Sequence, residues 1–243
     1  MRDRGEALRA RASALIREAC GARDGEPALI VEAGCGARSH LTYPSEYQVL
    51  GVDLSRAQLR RNNTLRWAVE GDVTRLPVRS VCADAVVSWD VLEHVPQPGE
   101  ALSELVRLVR PGGVVVLALP NVVSLKGIVT RLTPWWVHVW VYRRLLGDAT
   151  AGTANSDQFP TAMRWVLRSA GLRRLAARLR LDVLLLEAYE GPVPLHFRRR
   201  HRAGHLALSA IGAVSRLLSF GQYDATASDM VVVLRVRSGA CER

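Results

Sequence analysis

Leu29-Ile30-Val31-Glu32-Ala33-Gly34-Cys35-Gly36-Ala37 is a short apolar run that meets a carboxylate and then a glycine-rich turn. A run of this length bounded by turn residues reads as a buried strand. Glycines just past its C-terminal end let another group approach the backbone where side chains would block it. The turn by itself is ambiguous, because a tight strand-to-helix turn can also bind nothing. Outward from it, short apolar runs recur at Gln48 to Val52, Leu65 to Val69, Ala85 to Ser88 and Val114 to Leu119, and a final strand is expected at Met230 to Val236. Pro98 to Val109 has helical character, and Arg110-Pro111-Gly112-Gly113 reads as a sharp turn into the run that follows. Strands alternating with helices indicate a parallel sheet with helical crossovers.

The whole chain, 1–243, is expected to form one domain of ordinary globular composition, 49% hydrophobic and 23% charged. Residues 1–22 form an amphipathic helix with Leu8, Ala12, Leu15, Ile16 and Ala19 on one face and Gly21 as its stop. Residues 28–120 are the ligand-binding core, 121–159 a helical insertion after the fifth strand, and 160–243 the rest of the fold. In the insertion, Thr133 is expected to cap a helix that starts at Pro134 and leaves at Gly147. Trp135, Trp136, His138, Trp140 and Tyr142, with Val137, Val139, Val141 and Leu145, make that helix apolar nearly all round. Further helices are expected at Thr161 to Ala170, closed by Gly171, and at His205 to Phe220, where Leu206, Ala210, Ala213, Val214 and Leu217 form a stripe.

Cys20, Cys35, Cys82 and Cys241 are far apart and lack metal-ligand or disulfide spacing, so no metal is expected and a reducing compartment fits. The arginine-studded stretch Met1 to Cys20 has no apolar core for a secretory signal. Val114 to Leu119 and Val183 to Leu186 are far shorter than the roughly 20 residues that cross a bilayer. A cytoplasmic protein is expected, with peripheral membrane contact and a homodimer left open. The net charge of +10 is carried almost wholly by arginine, Lys126 being the single lysine, which reads as compositional bias more than as selection for phosphate contacts. Arg198 to Arg202 is broken by His201 and lacks interleaved aromatics, so a solvated loop is the first reading and a polyanion site the second.

Asp53 closes the second strand in Gly51-Val52-Asp53, where open α/β sheets bind ligands, and its carboxylate can accept from both hydroxyls of a ribose. Its spacing from Gly34 suits a dinucleotide as well as an adenosyl group. Three features separate the two. Glu32 would place negative charge beside a pyrophosphate, whereas an ammonium would welcome it. Ser39 stands where a third glycine of a dinucleotide turn would be, and Asp72 adds a carboxylate able to accept from an adenine amino group. Three carboxylates along one ligand suit a sulfonium better than a polyanion.

The chain here resembles the class I S-adenosylmethionine-dependent methyltransferases, in particular the subgroup with ubiquinone, menaquinone and natural-product enzymes. The resemblance runs from about Leu29 to Pro120. It is carried by Glu32-Ala33-Gly34-Cys35-Gly36, Gly51-Val52-Asp53-Leu54-Ser55, Gly71-Asp72-Val73 with Leu76-Pro77, Asp84 to Val95, and Arg110-Pro111-Gly112-Gly113. It implies a Rossmann-like, doubly wound α/β fold with a mostly parallel seven-stranded sheet and flanking helices. It also implies S-adenosylmethionine as cofactor and S-adenosylhomocysteine as product. Glu32, Gly34 and Gly36 would then surround the methionine end, Asp53 hold the ribose, Leu54 pack on the adenine, Asp72 and Val73 hold it, and Ser88 flank the sulfonium. Arg38 departs from the family's third glycine and puts a cation near the cofactor's carboxylate or the acceptor.

His94 is the candidate general base, set against a packing role in closing the pocket; in-line methyl transfer gains much from alignment alone. Trp135, Trp136, His138, Trp140 and Tyr142 are the candidate contacts for a small, lipophilic or aromatic acceptor. Ser88-Trp89-Asp90-Val91 is not the Pro-Pro-aromatic motif of DNA amino-methyltransferases, and no Pro-Cys nucleophile is present, so nucleic acid is not the expected substrate. A non-catalytic adenosylmethionine-binding module and an NAD-linked oxidoreductase remain as alternatives.

Overall fold

The computed structural model describes residues 4–21, 26–144 and 163–238, without the side chains of Trp135, His138 and Tyr142. Leu145, the helix exit at Gly147, the insertion's end at Phe159, the helix start at Thr161 and Cys241 lie outside the described residues. Seven strands, β1 (Leu29–Ala33), β2 (Gln48–Asp53), β3 (Trp67–Glu70), β4 (Ala83–Trp89), β5 (Val109–Pro120), β6 (Leu181–Tyr189) and β7 (Asp229–Val236), form one sheet in the order β3-β2-β1-β4-β5-β7-β6. The pairs from β3 through β5 are all parallel, and β7 lies antiparallel between β5 and β6. The sheet is therefore mostly parallel, as expected, with one reversed strand.

Period-two alternation explains why the strands are apolar on both sides. In β5, Val115, Leu117 and Leu119 join one core with Leu102, Leu105 and Leu108 of α3 (Pro98–Leu108), whereas Val114, Val116 and Ala118 join a second core with Leu8, Ala12 and Ile16 of α1 (Arg4–Cys20). A strand buried on both faces reads as a continuous hydrophobic run. Helices α2 (Arg56–Arg61), α4 (Leu125–Leu132), α5 (Trp135–Arg144), α6 (Ser169–Arg178), α7 (Pro192–Arg200) and α8 (Arg202–Leu218) complete the described chain.

Several local expectations are corrected. Arg110-Pro111-Gly112-Gly113 belongs to β5 itself, and the pairing of β4 with β5 shifts register between Ala83 and Ala85. Gly112 sits at φ +84°, and a Cβ on Gly113 would lie 2.6 Å from the Asp84 carbonyl oxygen, so the glycines serve an irregularity inside the strand. Gly171 lies inside α6, where its amide donates to Arg168, and does not end a helix. The Thr133 hydroxyl donates to the Val129 carbonyl, closing α4, and α5 begins one residue after Pro134. Arg198 to Arg200 form the last turn of α7, where cations complement the helix dipole, in place of the expected loop.

Asp84, fully buried at the start of β4, accepts from the Leu29 amide at 2.7 Å and pairs with Arg110, which also donates to the Ala19 carbonyl at 2.9 Å. One ion pair thus ties β1, β4, β5 and α1 together. Asp84→Asn is expected to lower the free energy of unfolding in urea by about 2–3 kcal/mol; Arg110 keeps some solvent, so the loss falls short of that for a wholly buried pair.

Candidate active site

The C-terminal ends of β1, β2 and β4 surround a cleft of about 1000 Å³ lined by Gly34, Cys35, Gly36, Asp53, Leu54, Asp72, Val73, Trp89, Asp90 and His94 among others. Gly34 has φ +77°, and a Cβ there would lie 2.3 Å from a methyl of Val91. Glycine is thus required by backbone conformation and by the approach of the β4 turn, a packing demand the sequence reading had assigned to a ligand. Gly36, at φ +55°, has nothing within 4 Å of its missing Cβ, so its backbone faces open space. The Cys35 thiol is buried, and burial, aided by the charges of Asp53 and Glu32, pushes it up to about 12, which leaves no thiolate nucleophile.

Asp53 is held from both sides: the Gly36 amide donates to one carboxylate oxygen and the Ser55 amide to the other, each at 2.8 Å. This fixes the carboxylate while leaving lone pairs for a diol. Leu54 is 70% exposed beside it, an apolar side chain with its face to the cleft. Asp72 accepts from the amide and hydroxyl of Thr74 with one oxygen, both at 2.8 Å, and buried Val73 follows it on the same wall.

Two expected residues do not line this cleft. Ser88 is 1% exposed on β4 and points into the fold, so the cleft wall there is made by Trp89, Asp90 and Val91. Glu32 is also buried; one oxygen accepts from the Ser39 hydroxyl and the Tyr43 phenol, both at 2.7 Å. The residue in the place of a third glycine is therefore an anchor that straps the 37–43 loop to the end of β1. Burial holds the Glu32 carboxyl above its usual range despite these donors and raises the Tyr43 phenol as well. The second Glu32 oxygen is buried without a hydrogen-bond partner. Exposed Arg38 does line the cleft.

Of the five insertion residues expected at an acceptor pocket, Trp136 and Trp140 are exposed on α5 and are not among the residues lining the cleft, and the side chains of Trp135, His138 and Tyr142 lie outside the described residues. The cleft's far wall is built by residues the sequence reading passed over. His40 stacks on Trp89 at 6.0 Å between centroids, and the Arg9 guanidinium lies 4.9 Å from the same ring. Asp90 holds φ +54° with its amide donating to the Ala118 carbonyl, and the short helix Leu92–His94 follows at once. His94 places Nε2 3.9 Å from the buried Glu93 carboxylate. A signal for Asp90 existed in the Asp90-Val91-Leu92-Glu93-His94 string, where the histidine alone was weighed.

Asp90 is exposed to the cleft, yet desolvation by the protein around it, reinforced by Asp229 and opposed by Lys126 and Arg9, raises its pKa from 3.8 to about 6. The folded state therefore binds the proton more tightly than the unfolded chain. Asp90 costs stability that is absent below about pH 4 and fully felt above about pH 6. Asp90→Asn tolerates the same positive φ and is expected to raise Tm at pH 7 to 8. The difference should vanish toward pH 4; a pH-independent difference would deny the carboxylate this role.

Comparison with known proteins agrees with this geometry. Residues 31–117 match the family model described as a methyltransferase domain. A Mycolicibacterium smegmatis protein named "Probable S-adenosylmethionine-dependent methyltransferase" is 30% identical over 172 residues, 65% of this chain and 61% of its own length. Demethylmenaquinone methyltransferase of Renibacterium salmoninarum is 34% identical over 107 residues, 43% of this chain and 45% of its own. The match spans less than two thirds of either relative. A SAM dependent methyltransferase from Archaeoglobus fulgidus shares the fold, with a TM-score of 0.54 at 15% identity over 95% of this chain and 93% of that one. Strand order, the acidic glycine turn and the family match across β1 to β5 together identify residues 31–117 as a methyltransferase domain.

Proposed function

We propose that this chain methylates a small, lipophilic or aromatic acceptor, with S-adenosylmethionine as donor and S-adenosylhomocysteine as product. The observation that carries the reading is Asp53, fixed by the Gly36 and Ser55 amides at the mouth of a cleft whose other charged walls are chiefly carboxylates. Asp53, Asp72 and Asp90 share the lining with a single arginine, Arg38, and no lysine, an arrangement that repels a pyrophosphate and attracts a sulfonium. An NAD-linked activity is disfavoured for that reason.

The residues present fit the donor. Asp53 would accept from the ribose hydroxyls, Leu54 would pack on the adenine, and Asp72 with Val73 would bind its edge. The open backbone at Gly36 fits the close approach of an amino-acid end to the turn. S-adenosylmethionine bound there supplies an electrophilic methyl group. The protein's own share is alignment, exclusion of water and removal of a proton from an acceptor hydroxyl, for which His94 is the base, with Asp90 and Trp89 forming the acceptor's side of the cleft. The lipophilic acceptor is supported by the demethylmenaquinone methyltransferase relative. Cys20, Cys35 and Cys82 are free thiols, which supports work in the reducing cytoplasm.

In calorimetry, S-adenosylmethionine is expected to bind and NAD to show no heat; preferential binding of NAD would overturn the reading. Asp53→Ala should weaken S-adenosylmethionine binding by about 1–3 kcal/mol, the scale for hydrogen bonds to a charged group. With a panel of phenols and hydroquinones and release of S-adenosylhomocysteine as readout, His94→Ala should lower kcat by about 10²- to 10⁴-fold while sparing cofactor affinity. Equal losses of both would return His94 to a packing role.

A further inference from the structure

The apolar stripe of α8 faces outward. Leu206, Val214, Leu217 and Leu218 are 54% to 77% exposed and Phe220, just past the helix, is 92% exposed, whereas the inward positions include Gly204, Gly212 and Ser215. An amphipathic helix normally turns such a stripe to the core. Leu132, Trp136 and Trp140 on α4 and α5 are exposed in the same way. Eleven of the fifteen exposed large apolar side chains in the described residues fall within two stretches, 121–144 and 191–223. The two stretches meet in space: the Leu125 amide donates to the Ala225 carbonyl at 2.8 Å, and the Tyr223 hydroxyl donates to the Val123 carbonyl.

Charge is segregated to the same stretches. They hold nine of the chain's 33 lysines and arginines and none of its 23 acidic residues, so the remainder of the chain is close to neutral. Three of the nine are paired with acids just outside: Lys126 with Asp229, Arg198 with Glu190 and Arg216 with Asp224. Exposed Arg199, Arg200 and Arg202 remain beside an apolar face carrying leucine and phenylalanine.

We propose that the exposed apolar side chains of α4, α5 and α8 dock on an anionic lipid bilayer. Apolar side chains flanked by arginines are the chemistry of interfacial helices, in which burial and attraction to anionic headgroups add. A second copy of the chain fits less well, because a symmetric contact would bring two like-charged faces together. A polyanion such as duplex DNA would satisfy the arginines but offers nothing to the apolar side chains. Among the described residues no helix is long and apolar enough to cross a membrane, so the contact is peripheral. α4 follows β5, whose Ala118 carbonyl accepts from the amide of Asp90 at the cleft, and docking there would bring the cleft toward the bilayer. The proposal does not depend on the cleft's activity.

The test is co-sedimentation of the full chain with vesicles of about one-third phosphatidylglycerol in phosphatidylcholine, against pure phosphatidylcholine. Binding is expected to the first and to be at least tenfold weaker to the second. A triple variant, Leu217→Ser, Leu218→Ser and Phe220→Ser, removes only exposed side chains and should lose at least tenfold in vesicle binding with Tm and S-adenosylmethionine affinity unchanged. Arg199→Glu with Arg200→Glu should do the same. Absence of vesicle binding by the native chain would overturn the proposal. So would duplex-DNA binding as tight as vesicle binding and kept by the serine variant, or a native dimer that the serine variant dissolves.

Discussion

The close approach of Gly34 to Val91 is the constraint on which the site depends. β1 and β4 are neighbours in the sheet, and each ends in a turn at a positive φ, one on a glycine and one on Asp90. With no Cβ at Gly34, Val91 fills the space beside it, and the two turns sit shoulder to shoulder as the floor of the cleft. A larger residue at position 34 would have to push the β4 turn away, since the contact is with a branched side chain packed into the core. The same juxtaposition delivers Asp90 and His94 to the face opposite Asp53.

Around that floor the protein spends hydrogen bonds on holding its carboxylates still. Asp53 is clamped by two amides, Asp72 by Thr74, and Glu32 by Ser39 and Tyr43. Fixed donors let negative charge remain localised in a partly desolvated place, where it acts more strongly on a cation than it would in water. Glu93 and Asp90 lack such donors in number, and desolvation lifts both above the ordinary carboxylate range. The cleft thus has carboxylates held by donors, Asp53 and Asp72, near β2 and β3 and a more readily protonated one, Asp90, near β4, which suits binding of a cation on one side and proton transfer on the other.

The outer helices follow a different logic from the core. α1 and α3 bury their apolar faces against the sheet, whereas α8 packs mainly on α7 and shows its stripe to solvent. A long connection between β6 and β7 makes this possible: the two are antiparallel neighbours whose joined ends, Tyr189 and Asp229, are register partners, so the α7–α8 hairpin is an excursion that the sheet itself does not require.

By itself the sequence determined the repeating elements and the glycine-and-carboxylate wall of the cleft. Apolar runs of strand length, the Glu32 to Gly36 turn and carboxylates at strand ends are local patterns, and local patterns survive without knowledge of what packs on what. Tertiary structure alone decided the rest. Periodicity found the stripe of α8 but could not say which way it faces, because a helix's apolar side is defined only by the partner that covers it. The reversal of β7, the irregularity at Gly112-Gly113 and the inward turn of Ser88 depend on pairing between residues distant in the chain. Asp90 looked ordinary in sequence and is unusual only where β4, β7 and α4 bring Asp229 and Lys126 to it, since a carboxyl's proton affinity is set by surroundings that the chain assembles from afar.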